Sequence, residues 1–355
     1  VMNLSYLGAD WYIEQMQRKA YQSDPVPFSL NRDQYRTGSR DIVYVLDRIK
    51  DYSSLREVID FVASDDPRTK QLPEITEKID FIPTRRFYVP VDSMKVIQNG
   101  TVTPANAGKV RSNMQWELEP SRNYITKNHL MVLDLMATNN WERPVYYAIT
   151  VSEDNYLNLD SHFQMEGLAY RVVPYASEGD MFGRGGMNTN AMFENMVNKF
   201  RWGGVNEPGV YLDENVSRML ANFRSSFARL ALHLIAENKP DSARKALDRC
   251  LEVIPDRVVP FNVYNILLVE AYLRLGDVEA AKQITDVLTK NVYQDMDYFI
   301  SLGKKYDGSM MYEKRVAFYT LDELRRLAET YNLPELKQEM QDKISEFSSA
   351  LNVAI

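Results

Sequence analysis

Two groups of aromatic and basic residues are the positions best suited to chemistry. Trp141, Arg143 and Tyr146 surround the start of a run through Pro144. Trp202 stands beside Gly203 and Gly204, whose missing side chains let another group come close. Aromatic faces and a guanidinium suit polyols and phosphates, which points to a sugar or lipid head-group contact in a cleft. Packing in a core or between domains accounts for the same residues without any ligand. Asp10 and Trp11 follow the first strand-like run, where α/β sheets tend to place ligands. A helix cap explains Asp10 equally well.

Other chemistry finds little support. The three histidines, His129, His162 and His233, are widely spaced, and none has the i, i+4 partner of a zinc-binding helix. His129 and His233 fall in helical patterns and read as structural. No nucleophile elbow, phosphate loop or dinucleotide fingerprint is present. Gly183-Arg-Gly-Gly186 lacks the Lys-Ser/Thr pair and the preceding strand that a phosphate cradle needs. Acidic pairs such as Asp65-Asp66 and Asp213-Glu214 sit at helix ends, where they cap or are solvated. No catalytic residue, metal site or cofactor is expected.

The elements that must position these residues come from a chain of 355 residues, long enough for two or three domains. Apolar residues make up 45%, enough for a sizeable core. A net charge of -7 and a pI near 5.3 exclude a nucleic-acid binder built on a basic stripe. No apolar run approaches the ~18 residues of a membrane span. No signal peptide is visible, and Val1 opens directly on a strand-like run, as in a fragment of something longer. The single cysteine, Cys250, excludes an internal disulfide and reads as a buried structural thiol.

In chain order, Val1 to Leu7 reads as a strand and Asp10 to about Gln22 as a helix with Asp10 as its cap. Ile42 to Ile49 fits strand or helix. Ser54-Leu-Arg-Glu57 is a capping box that starts a helix running to about Ala63. Ile79 to Ile82, Arg86 to Val91 and Met94 to Ile97 read as short strands, and Asn99-Gly100 as a tight turn. Met114 to Leu118 is a further strand. Ile125 to Ala137 reads as a helix, followed by a turn at Thr138 to Trp141 and a mostly buried strand from Arg143 to Thr150. Leu168 to Pro174 gives one more strand. The expected domains are an α/β layered region over 1–178, a Gly/Asn-rich linker with a connecting helix over 179–212, and an all-helical array over 213–355.

The helical part carries an internal repeat. Phe227, Leu230, Ala231, Leu234, Ala243, Leu247 and Cys250 match the large-small-large spacing of a tetratricopeptide repeat. Leu268, Val269, Tyr272, Ala281 and Leu288 match it again. Asn238 and Gly276 occupy the same turn slot, where positive φ is needed. They stand 38 residues apart, about four more than the usual repeat, with the excess in Asp256 to Val259. Ala317 to Ala350 resembles a third, degenerate pair broken near Asn332. The inner positions Ala228, Leu232, Ile235, Val263, Ile266, Glu270 and Leu273 are too apolar for an open groove. The chain itself is therefore expected to cover them.

Five stretches carry a family resemblance. They are Asn3-Leu-Ser-Tyr-Leu-Gly-Ala-Asp-Trp-Tyr12, Leu133-Asp-Leu-Met-Ala-Thr-Asn-Asn-Trp-Glu-Arg-Pro-Val-Tyr-Tyr-Ala148, Glu166-Gly-Leu-Ala-Tyr-Arg-Val-Val-Pro174, Lys199-Phe-Arg-Trp-Gly-Gly204 and Gly209-Val-Tyr-Leu-Asp-Glu-Asn215. With the repeats, they resemble the C-terminal region of a bacterial multi-pass membrane family long described only as a domain of unknown function. That family is similar to GT-C-type protein O-mannosyltransferases and has an animal relative with the same repeat-bearing tail. The resemblance covers essentially the whole chain. It implies a glycosyltransferase parent whose acidic catalytic loop and lipid-linked sugar site lie in the membrane part, so no catalytic residue transfers to this chain. It implies a non-catalytic accessory domain on the periplasmic face of the inner membrane. Its expected partners are its own upstream transmembrane region and an acceptor protein or glycan, with no nucleic acid and no span of its own. The rival expectation is a free-standing glycan-binding lipoprotein of a nutrient-uptake system. Such proteins carry a lipidated N-terminal cysteine and place their repeats early, whereas here the cysteine is at 250 and the repeats come last.

Overall fold

The computed structural model describes residues 1–72, 77–177, 179, 185–303, 305 and 308–351. The chain forms two compact units, Val1–Gly186 and Met187–Ile355.

The first unit is mixed α and β. A 3-10 turn at Ser5–Gly8 leads into α1 (Asp10–Met16) and α2 (Arg32–Tyr35). Then come β1 (Ile42–Ile49), β2 (Ser53–Ser54), α3 (Leu55–Ala63), β3 (Phe81–Thr84), β4 (Arg86–Pro90) and α4 (Ser93–Gln98). The unit continues through β5 (Asn113–Glu117), β6 (Tyr124–Thr126), α5 (Lys127–Thr138), β7 (Tyr146–Ala148), β8 (Phe163–Met165) and β9 (Ala169–Val172). The strands form small separate sheets. In one, β1 runs parallel to β3, with Tyr44 opposite Phe81, and antiparallel to β6, with Val43 opposite Ile125. In a second, β4 lies between a parallel β2 and an antiparallel β5, with Phe87 opposite Trp116. A third contains β8, β9 and β7 in that order, all antiparallel, with β7 at its edge.

Helix α5 is the centre of this unit, and its residues from Lys127 to Met136 are buried except Asn128. It packs against α3, β1 and β6. Burial all round hides the single apolar stripe by which a surface helix is recognised. Asp134 of this helix is buried and accepts hydrogen bonds from the Ser29 and Leu30 N–H groups and the Ser29 hydroxyl. One carboxylate thereby fixes the segment after α1 to the core. Burial pushes the Asp134 pKa up, and its hydrogen bonds oppose that shift. The carbonyls at the end of α3 are taken up by buried cations. Arg40 reaches Val62 O and Ala63 O, and Lys70 reaches Val62 O.

Several local expectations change. Ser5–Gly8 is a 3-10 turn and not part of a strand. Helix α1 stops at Met16, before the prolines, and its cap position is Ala9; Asp10 lies in the first turn, accepting from the Trp11 N–H. Helix α3 starts after Ser54 as expected, but the Ser54 side chain makes no cap bond. Met94 to Ile97 is helical and not a strand, because Asp92 caps α4 by accepting from the Met94 and Lys95 N–H groups. Gly100, at φ +72°, follows the helix rather than closing a hairpin.

The second unit is helical. Helix α6 (Thr189–Phe193) passes into a π-helical turn at Glu194–Lys199. Six longer helices follow: α7 (Glu214–Ala236), α8 (Pro240–Val253), α9 (Ile266–Arg274), α10 (Val278–Ser301), α11 (Met311–Thr330) and α12 (Pro334–Leu351). They pack as consecutive hairpins, α7 on α8, α9 on α10 and α11 on α12. Asn238, Gly276 and Asn332 turn these hairpins at φ +59°, +74° and +54°. Ala231, Ala243 and Ala281 are buried where the helices approach. Leu232, Ile266 and Leu273 are buried as well, and α11 packs on α9.

The long Asp256 to Val259 connection is held from inside. Arg224 of α7 is almost fully buried and donates to Ile254 O, Pro255 O and Val259 O, the last at 2.6 Å. Its guanidinium stacks over the Phe261 ring at 4.8 Å. Cys250 is buried nearby, and burial pushes its thiol up to about 12, the signature of an inert side chain.

Candidate functional site

A cleft of about 1010 Å³ opens in the first unit. One wall is the segment around α1, contributing Leu4, Leu7, Met16, Val26 and Pro27. The floor includes Val132 and Leu135 of α5, and the far wall is the run Pro144 to Ala148 carrying β7. The Asp134 tie to Ser29 and Leu30 holds the chain just beyond the first wall to the helix that forms the floor.

The lining is largely apolar, with polar groups from Gln15, Gln22, Ser23 and Asn139 among it. Its charged members are Arg18, Asp24 and Arg143. Arg18, just past the end of α1, pairs with Glu14 of that helix. Arg143 donates from one guanidinium nitrogen to the Asp24 and Pro25 carbonyls, at 3.2 and 3.1 Å. No carboxylate among the described residues pairs with it. Tyr146 is 45% exposed, and its hydroxyl donates to Glu166 Oε2 at 2.9 Å. The Arg171 guanidinium lies 5.8 Å from its ring centre. Partial burial, followed by the Glu166 charge, pushes the Tyr146 phenol up. No histidine, cysteine or glutamate among the described residues lines the cleft. Among the described residues, no group of three or more His, Cys, Asp or Glu is placed to hold a metal ion. This is a site that can enclose and orient a molecule.

The residues singled out in the sequence divide. Arg143 and Tyr146 line this cleft. Trp141 lines a much smaller pocket that Arg143 also borders. It is only 7% exposed, donates from its indole to Pro90 O at 2.9 Å, and accepts from Asn99 through its own carbonyl. Its φ of +58° is rare for so large a residue, and these bonds hold it there. Trp11 is 56% exposed in an aromatic group with Tyr6 and Tyr12. Neither Asp10 nor Trp11 lines the cleft. Trp202 belongs to the second unit, where its ring packs on Phe200, Phe223 and Phe227. Of the Gly183 to Gly186 loop, Gly183 and Arg184 lie outside the described residues.

Sequence reasoning missed the N-terminal wall. The one signal for it was Pro25-Val26-Pro27, an apolar residue held extended between two prolines. Helix α5 and the Pro144 run were both legible, but nothing in the sequence placed them against residues more than 100 positions earlier.

No helix of the described residues is long and apolar enough to cross a membrane. A family model described as TMEM260-associated domain 2 matches residues 1–191. No curated protein and no solved structure matches the chain.

Proposed function

The chain belongs to the TMEM260-associated domain 2 family, and on that premise we propose that it is a non-catalytic accessory domain of a membrane glycosyltransferase. The parent enzyme is of the protein O-mannosyltransferase type. This domain lies on the extracytoplasmic side, periplasmic in a bacterium, binds the acceptor or a partner, and scaffolds its neighbours. The helical hairpins are tetratricopeptide-like and supply the scaffold.

The observation that carries this function is the cleft. Its size suits a bound molecule, its walls are mostly apolar, and Arg143 and Tyr146 supply polar contacts at one side. General acid–base catalysis needs positioned proton carriers within reach of the substrate. The cleft offers one aspartate, and burial makes Tyr146 and Tyr147 harder to ionise. Binding without chemistry suits an accessory domain whose reaction occurs elsewhere in the parent.

The purified chain is expected neither to transfer nor to hydrolyse sugar when incubated with a lipid-linked mannose donor and an acceptor protein. Turnover by the purified chain that a single substitution within it abolishes would overturn this function.

A further inference from the structure

The cleft has a feature that neither a sugar nor a lipid needs: an unpaired strand edge. Among the described residues, strand β7 pairs on one side only, with β9, where Tyr146, Tyr147 and Ala148 lie opposite Arg171, Tyr170 and Ala169. In an antiparallel ladder, alternate residues direct both main-chain groups to the same neighbour. Val145 O accepts from the Val172 N–H, and the Ile149 N–H donates to Leu168 O. The odd-numbered residues of this run therefore serve β9, and Tyr146 and Ala148 present their main-chain groups to the other side.

The Ala148 carbonyl is taken by the Val151 N–H. The Tyr146 N–H, the Tyr146 carbonyl and the Ala148 N–H have no partner among the described residues. The run that carries them, Pro144 to Ala148, lines the cleft. The opposite wall does not close this edge. It contains Pro27, which has no N–H to offer a ladder, and the carbonyls of Asp24 and the adjoining Pro25 are already held by Arg143. Exposed edges of this kind are templates for another strand.

We propose that the cleft takes an extended peptide, which adds to the free edge of β7 as a further strand. This deepens the binding function above and rests on it. Main-chain bonds to Tyr146 and Ala148 supply register, and the peptide's alternate side chains enter the apolar volume toward Val132, Leu135 and Met16. Arg143 stands next to the edge with no carboxylate partner among the described residues, so it favours an acidic side chain or a C-terminal carboxylate.

The test uses the full chain and a pool of synthetic octapeptides that alternate valine, leucine or tyrosine with threonine, with and without a terminal glutamate. Amide exchange at Tyr146 and Ala148 should slow at least tenfold on adding the best binder. N-methylation of that peptide should abolish binding when placed on alternate residues in one register and be tolerated in the other. Ala148→Pro removes the free N–H without touching a bond to β9 and should weaken binding tenfold or more. Should that variant fail to fold, amide protection and methylation decide the matter alone. Strand addition is overturned if no peptide protects these amides at millimolar concentration, or if both methylated registers bind equally. Phosphatidylglycerol vesicles or mannose oligosaccharides filling the cleft in place of peptides would also overturn it, while leaving the binding function standing. A cleft that binds none of the three would end both.

Discussion

At Tyr147 the chain buries a hydroxyl with no hydrogen-bond partner among the described residues. Its ring packs with Tyr156 and Phe163 at 5.7 and 5.2 Å, and burial pushes its phenol well above the ordinary range. An unsatisfied buried hydroxyl costs free energy that a phenyl ring does not. Tyr147→Phe should therefore leave stability unchanged or raise it by up to about 1 kcal/mol, read from a denaturant melt. A clear loss of stability would mean that the hydroxyl has a partner in solution. Single residues were also where sequence reasoning was least able to separate binding from packing. Trp141 and Arg143 stand two positions apart, and only the fold shows that one is enclosed by Pro90 and Asn99 and the other lines the cleft. Residue type is the same evidence for both outcomes. Solvent exposure tells them apart, and exposure is set by distant parts of the chain.

Among elements, the hairpin turns were the most legible, because positive φ restricts the residue so strongly. Asn238, Gly276 and Asn332 mark their turns in the sequence and occupy them in the structure. Short elements were the least legible. Met94 to Ile97 has the composition of a strand, yet an aspartate cap and a following glycine make it α4. The four extra residues between α8 and α9 were visible as an irregular spacing. The buried arginine that organises them was not, since its partners are main-chain carbonyls that any sequence would provide. Arg224→Leu should strip the bonds from Ile254 O and Val259 O while keeping much of the side-chain volume. A loss of about 3 kcal/mol or more is expected in a denaturant melt, since each stranded buried group costs ~1–3 kcal/mol. A loss below ~1 kcal/mol would show that water replaces the guanidinium.

Over the whole molecule, buried histidines give stability a dependence on pH. His162 is enclosed near the Val173 and Gln115 carbonyls, and burial lowers its pKa. Burial likewise lowers the pKa of His129, whose ring meets Asn155 at 2.9 Å. A folded pKa below the unfolded value means that the unfolded chain binds the proton more readily. These groups therefore contribute stability that is present above the unfolded histidine value of about 6.5 and lost as pH falls below it. Asp134 acts in the opposite sense, because its raised pKa lets proton uptake favour the fold. The melting temperature should fall between pH 7.5 and 5.5, and His129→Gln with His162→Gln should flatten that slope. A slope unchanged in the double variant would assign it to other groups.

The division into a mixed unit and a helical unit follows the change in composition and periodicity along the sequence. The cleft could not be read the same way, because it joins the chain's first 27 residues to β7. Its proposed function is tested most directly by blocking it in the full-length parent, which that proposal makes a glycosyltransferase. Ala148 is exposed and lines the cleft, so Ala148→Trp fills space there without burying a larger side chain in a core. Sugar transfer should show KM for the acceptor raised tenfold or more, with kcat unchanged and the melting temperature of the domain preserved. An unchanged KM, or a fall in kcat alone, would contradict a binding cleft that takes no part in the chemistry.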